Sequence, residues 1–175
     1  MRVIGGEFRS RVLKSLPGLD VRPTPDRLRE TLFNILAPRI EGLVFADLYA
    51  GTGAVGIEAI SRGAARAVFI ESKKAALTVL RDNVRSLGIE PRSDVRLGRV
   101  VSMIPLLEAD IVFLDPPYPL EQEYPSALEA LGKKASQLVI AQHASRLSLN
   151  ERYGRLHRTR VLKQGDNSLS FFEPT

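Results

Sequence analysis

Asp47-Leu48-Tyr49-Ala50-Gly51-Thr52-Gly53-Ala54-Val55-Gly56 lies between a strand-like apolar run, Leu43–Leu48, and a helical pattern over Val55–Ser61. Gly51 and Gly53 lack a Cβ, so the backbone can turn tightly there and approach a ligand closely. A ligand held at such a turn sits at the carboxyl end of the strand and near the N-terminus of the helix. Around this stretch, strands alternate with helices. Further strands are read at Ala67–Glu71, Asp94–Leu97, Ile111–Asp115 and Gln137–Gln142. Helical patterns fall near Lys73–Leu87, Val101–Leu107 and Tyr124–Leu131. This alternation predicts an α/β domain with a parallel sheet and helices on both faces. Leu156–Gln164 and Ser168–Phe172, joined by Gly165-Asp166-Asn167, predict an antiparallel pair that closes a seven-stranded mixed sheet.

Ahead of this region, Arg2–Gly6 and Arg9–Leu13 read as a short β-hairpin. A Pro- and Gly-rich loop leads to a helix that starts at Thr24-Pro25 and ends before Pro38, with Leu28, Leu32, Ile35 and Leu36 on one face. The division expected is an N-terminal hairpin-and-helix extension over 1–40 and an α/β domain over 41–175.

The chain has 175 residues, 44% of them apolar and 26% charged, enough for a full core and too apolar for wholesale disorder. It has no cysteine and two histidines. Disulfide frameworks, thiolate metal sites and cysteine nucleophiles are thereby excluded, and no metal is expected. Apolar runs are strand-sized and Met1–Gly6 has no signal-peptide core, so a cytoplasmic protein without a membrane span is expected. The net charge of +5 is uneven. Residues 1–29 hold seven basic against three acidic residues, and 146–163 hold six against one. Two basic zones around an acidic middle suit a polyanionic partner.

Glu71 ends the second strand, twenty residues after Gly51. A carboxylate placed there can accept both hydroxyls of a ribose. The Gly51-x-Gly53-x-x-Gly56 spacing also matches a dinucleotide fingerprint, so a nicotinamide dinucleotide and S-adenosylmethionine compete for the site. Asp47 favours the second: its charge attracts the methionine ammonium and repels a pyrophosphate. Asp115-Pro116-Pro117-Tyr118 follows the fourth strand and should reach the same sheet edge. An exocyclic amine is a poor nucleophile because its lone pair is delocalised into the adjoining ring. Asp115 and the Pro116 carbonyl can each accept one of its N–H groups, freeing the lone pair for a sulfonium methyl. Pro117 stiffens the turn, and Tyr118 offers a face on which a flipped base can stack.

These two motifs resemble those of amino-methyltransferases that use S-adenosylmethionine. The N-terminal segment narrows the resemblance. Arg2-Val3-Ile4-Gly5-Gly6, Arg9-x-Arg11, and Arg22-Pro23-Thr24-x-Asp26-Arg27-Leu28-Arg29-Glu30-x-Leu32-Phe33-Asn34 resemble the bacterial RsmD-type family, as does Gly56-x-Glu58-Ala59-x-Ser61-Arg62-Gly63-Ala64. The resemblance implies a Rossmann-like methyltransferase fold. It also implies methyl transfer from S-adenosylmethionine to a guanine N2 of small-subunit (16S) rRNA, free or in an assembling 30S particle. The implied catalytic set is Asp115, Pro116, Pro117 and Tyr118. The implied cofactor set is Asp47, Tyr49, Ala50, Gly51, Gly53, Glu71 and Ser72. Gly98-Arg99-Val100 stands where many relatives carry an Asp for the adenine amine, so adenine contact is expected from backbone near Arg99 and Val100. RNA contact is expected from Arg2, Arg9, Arg11, Arg22, Arg27 and Arg29. The rivals are an amino-methyltransferase acting on DNA or a protein amide, and a non-catalytic nucleotide- or RNA-binding domain. His143 reads as structural and His157 as surface, while Asp26 and Glu30 are spaced to pair with Arg27 or Arg29.

Overall fold

Side chains that alternate along the central strands sort onto two faces, and each face collects its own helices. The computed structural model describes residues 1–17, 24–134 and 137–175. Its strands are β1 (Val44–Leu48), β2 (Arg66–Glu71), β3 (Ser93–Leu97), β4 (Ile111–Leu114), β5 (Leu138–Ala144), β6 (Arg152–Tyr153), β7 (Leu156–Gln164) and β8 (Asn167–Pro174). They form one sheet in the order β3-β2-β1-β4-β5-β8-β7-β6. β1 to β5 run parallel, and β8 and β7 return antiparallel.

Helices α1 (Asp26–Leu36), α2 (Ala54–Ser61) and α3 (Lys74–Ser86) meet one face, and α4 (Val100–Met103) and α5 (Glu123–Gly132) meet the other. Phe45, Ile111, Phe113, Leu138 and Ile140 pack with Leu28, Leu32, Phe33 and Leu36 of α1 and with Val55 and Ala59 of α2. Ala46, Leu48, Val112, Leu114, Val139 and Ala141 pack with Leu128 and Leu131 of α5. Both faces are thus covered, as a parallel sheet requires.

The sheet has eight strands rather than the expected seven. The addition is β6, two residues that pair with the start of β7. A run that short carries no alternation to read. The N-terminal hairpin is reduced to a loop closed by one antiparallel bridge, Arg2↔Val12. Its polar backbone is satisfied partly by the α/β domain. The N–H groups of Ile4 and Gly5 donate to Glu58 at 2.9 Å each, Phe8 N–H to the Ser61 hydroxyl, and Lys14 N–H to Asn83 Oδ1. Thr24 does not cap α1, because Pro25 occupies the cap position.

Glu58 is the anchor of this arrangement. It is fully buried within α2, and besides two N–H groups it meets Arg62 Nε at 2.9 Å and Arg29 Nε at 3.5 Å. Arg29 is also fully buried and donates to the Arg2 carbonyl at 2.6 Å. The expectation that Arg29 contacts RNA is therefore corrected: its charge is consumed inside the fold. Removing one member of a buried pair leaves the other uncompensated. Glu58→Ala should lower the unfolding free energy by about 3–5 kcal/mol, read from urea titration. A loss below about 1 kcal/mol would remove Glu58 from this role.

Candidate active site

The carboxyl ends of β1, β2, β4 and β5 open onto a cleft of about 360 Å³. Asp47, Tyr49, Ala50, Gly51, Thr52, Glu71, Ser72 and Lys73 line one half. Asp115, Pro116, Pro117, Tyr118, Tyr124, Gln142, His143 and Arg146 line the other, and Met1, Ser15, Leu16, Thr24 and Pro25 reach it from the N-terminal segment. The sheet thus brings the glycine-loop and Asp-Pro-Pro-Tyr residues into one cavity.

The loop conformation rests on two glycines. Gly53 has φ +92° and caps α2 in the left-handed region, which a side chain would strain. At Gly56 a Cβ would stand 2.3 Å from the Phe69 ring, so the glycine lets α2 approach β2. Tyr49 also has positive φ, at 62°, and its hydroxyl donates to Glu123 at 2.8 Å. That bond fixes the side chain of the strained residue.

Three carboxylates face this cavity with little neutralisation. Glu71 Oε1 accepts from Gly51 N–H at 2.7 Å and Oε2 from Lys73 N–H at 2.8 Å. Each oxygen keeps a lone pair for a ligand hydroxyl. Asp47, 2% exposed, accepts from Gly56 N–H at 2.9 Å. Burial, and then the nearby Asp115 and Glu71 charges, hold its carboxyl well above the usual range, against the pull of the Gly56 N–H. Asp115 is half-buried, and burial pushes it up to about 7. This donor set suits a ligand that brings a positive charge and vicinal hydroxyls, and it is hostile to a pyrophosphate.

In the second half, the Pro117 carbonyl accepts from Leu120 N–H at 2.8 Å, which closes the turn. No backbone N–H among the described residues donates to the Pro116 carbonyl. Tyr118 is 65% exposed, and the Arg146 guanidinium lies 6.0 Å from its ring centroid while pairing with Glu121 at 2.8 Å. Tyr124, with its phenol pushed up by burial, donates to the Gln142 carbonyl at 2.6 Å. His143 lies with Nδ1 2.9 Å from the Ala144 carbonyl and Nε2 2.8 Å from Ser170 Oγ. Burial lowers its pKa, so the neutral ring donates from Nδ1 and accepts at Nε2. The structural reading of His143 fits these bonds, although the residue also lines the cleft.

Other expected residues stand elsewhere. Gly53, Arg99 and Val100 do not line the cavity. Arg99 is the cap residue of α4, and Val100 is buried under the opposite sheet face. Arg2, Arg9, Arg11 and Arg27 are exposed, and Arg22 lies outside the described residues. Arg11 donates to the Ser86 carbonyl, and Asp26 pairs with Arg29 at 3.3 Å. No membrane-length apolar helix and no metal-ligating cluster occur among the described residues.

A family model described as Conserved hypothetical protein 95 matches residues 1–173. The chain belongs to this family. It is the RsmD-type family that the N-terminal and Asp-Pro-Pro-Tyr motifs resemble. Ribosomal RNA small subunit methyltransferase D of Escherichia coli (strain K12) is 39% identical over 146 residues, 80% of this chain and 72% of that protein. The solved structure of a hypothetical protein from Thermus thermophilus matches with a TM-score of 0.83 at 30% identity, covering 99% of each chain. An RNA methyltransferase from Salinibacter ruber, in complex with S-adenosyl-L-homocysteine, has the same fold, with a TM-score of 0.67 at 19% identity over 87% of this chain and 94% of that one. The fold is the Rossmann-like methyltransferase fold.

The raised pKa of Asp115 has a thermodynamic signature. A carboxyl whose folded pKa exceeds its unfolded value contributes stability that is full below the unfolded pKa and lost as pH rises through the folded one. Ionised Asp115 therefore costs stability above pH 7. Asp115→Asn should melt at a higher temperature than wild type at pH 8, with the difference shrinking as pH falls from 7 toward 4. A difference independent of pH would show that Asp115 titrates normally.

Proposed function

We propose that this protein transfers a methyl group from S-adenosylmethionine to the exocyclic N2 of a guanine in small-subunit rRNA. The observation that carries the reading is the single cavity shared by Asp47, Glu71 and Asp115-Pro116-Pro117-Tyr118. Family membership and the name of the Escherichia coli relative support the rRNA substrate. The Salinibacter ruber neighbour, solved in complex with S-adenosyl-L-homocysteine, supports the cofactor.

When bound, S-adenosylmethionine supplies a methyl on an electrophilic sulfonium. Asp47 would hold the methionine ammonium of the cofactor, and the two Glu71 oxygens would accept its ribose hydroxyls. Asp115 and the Pro116 carbonyl each accept one N–H of the guanine amine, which turns its lone pair out of conjugation and toward the methyl. Transfer would form the N–C bond as the S–CH3 bond breaks, leaving S-adenosylhomocysteine as a neutral thioether and a cationic nitrogen that sheds one proton. A carboxylate with a pKa of about 7 is matched to receive it. Tyr118 stacks on the unstacked base, a contact of about 1–3 kcal/mol. Asp115→Ala should abolish methylation of ribosomal particles from cells lacking this protein, with the dissociation constant for S-adenosylmethionine changed less than about threefold. Nucleoside analysis of the wild-type product tests the position. A modified base other than N2-methylguanine, or full turnover by the variant, would overturn the assignment.

For the RNA grip, exposure selects among the arginines. Arg2 adjoins Met1 at the cleft, and Arg27 lines a neighbouring cavity that shares Pro25 and Asn167 with it. Neither side chain is held in an ion pair among the described residues. Arg9 belongs to the turn beside Ser61, at the end of α2 remote from the glycine loop. Arg2→Ala with Arg27→Ala should weaken binding of small-subunit rRNA and flatten the log–log salt slope by about 1.4, at about 0.7 per lost phosphate contact. Arg11→Ala should change the slope little, since that guanidinium already bonds Ser86. An unchanged slope in the double variant would move the grip elsewhere.

A further inference from the structure

Gln142 is a polar residue in the cleft wall that the proposed reaction does not use. It is 5% exposed, and its side-chain carbonyl Oε1 is buried without a hydrogen-bond partner. A buried amide left unpaired is costly, and such a group calls for an explanation. The Gln142 backbone carbonyl takes the Tyr124 hydroxyl, and both His143 ring nitrogens are bonded.

Its place in the sheet supplies the explanation. β4 and β5 pair in parallel up to Leu114↔Ala141. The next step of that register sets Gln142 beside Asp115. Paired residues of neighbouring strands project to the same face and stand about 4.8 Å apart. The amide and the proposed amine-holding carboxylate thus border the same part of the cavity.

The chemistry of a guanine edge matches that pair. Its three groups, in order, are the N2 amine, N1–H and O6: donor, donor, acceptor. With the amine on Asp115, the adjoining group to be met is a donor and the one after it an acceptor. An amide offers an acceptor and a donor side by side. Adenine or cytosine with its amine on Asp115 presents a ring-nitrogen acceptor next, and then no group that completes the amide's second bond. We propose that Gln142 is the specificity-determining residue for the target base: Oε1 accepts the guanine N1–H and Nε2 donates to O6. The proposal rests on the guanine-N2 reading and adds to it a reason for guanine. A site built to bond a substrate polar group discriminates strongly against an analogue that lacks it, because its own buried groups are then left unpaired.

The test compares wild type with Gln142→Leu on small-subunit particles reconstituted with either guanine or 2-aminopurine at the mapped target position. 2-Aminopurine keeps the amine on C2 but lacks O6 and presents N1 as an acceptor. On guanine, Gln142→Leu should lose about ten- to hundredfold in kcat/KM, the range expected for two buried hydrogen bonds. On 2-aminopurine, wild type should fall by a comparable factor while Gln142→Leu treats the two bases within about threefold of each other. S-adenosylmethionine affinity and the melting temperature should hold in the variant. Gln142→Glu gives a second check, because it retains the acceptor for N1–H and lacks the donor for O6, and it should fall between the two. If wild type makes N2-methylguanine and Gln142→Leu discriminates against 2-aminopurine as wild type does, Gln142 does not read the base. If wild type makes a different methylated nucleoside, the guanine-N2 reading itself has failed.

Discussion

A carboxylate taken out of water must be met by a cation or by N–H groups, or it holds on to its proton. This chain buries Asp47, Glu58 and Glu71, and each is met differently. Glu58 has two arginines and two backbone N–H groups. Glu71 has the N–H groups of Gly51 and Lys73. Asp47 has the N–H of Gly56, with Asp115 and Glu71 pressing on it as like charges. The best-met acid joins the N-terminal segment to the catalytic fold. The least-met acid lies at the ligand cleft. Neutralisation by the protein is complete where the structure must hold and withheld where a cationic ligand would supply it.

The alternation of strands and helices was legible because a parallel sheet covered on both faces leaves near-continuous apolar runs. The cleft was legible for the same reason: parallel strands deliver their carboxyl ends to one edge, so Asp47, Glu71 and Asp115 had to converge. The parts that were not legible depend on tertiary partners. β6 is too short to show a period and exists by pairing with Leu156 and His157. Arg29, unlike the exposed Arg27, shares a helix face with Leu32, Phe33 and Leu36, but its partner is not in that spacing. Only the packing of α1 against α2 brings it to Glu58. Arg99 and Val100 follow a strand as Ser72 does, yet β3 is the sheet edge, and the chain beyond it turns onto the opposite face. Gln142 carries no motif at all. Its signal is an unpaired buried oxygen one residue past the Leu114↔Ala141 pair, which appears only once β4 and β5 are in register.

Sheet direction also splits the C-terminal basic zone, leaving Arg146 in the cleft wall and carrying Arg152 and Arg155 away from it. β8 runs antiparallel to β5, with Asn167 opposite Ala144 at the cleft edge. β7 then places Leu156 opposite Pro174, at the far edge. Arg152 and Arg155 therefore lie at the end of the sheet remote from the cleft, and Arg158 reaches toward Glu151 and donates to the Leu149 carbonyl. The N-terminal zone lies differently. Met1, Ser15, Leu16, Thr24 and Pro25 form part of the cleft wall itself. A phosphate chain drawn to Arg2 and Arg27 would thus be held by the same segment that borders the cofactor and target halves, and that segment is fastened to α2 through Glu58. Backbone contacts carry little sequence information. In the proposed reaction, selection of the base then falls to the groups inside the cleft, where Tyr118 would offer a face and Asp115, Pro116 and Gln142 an edge.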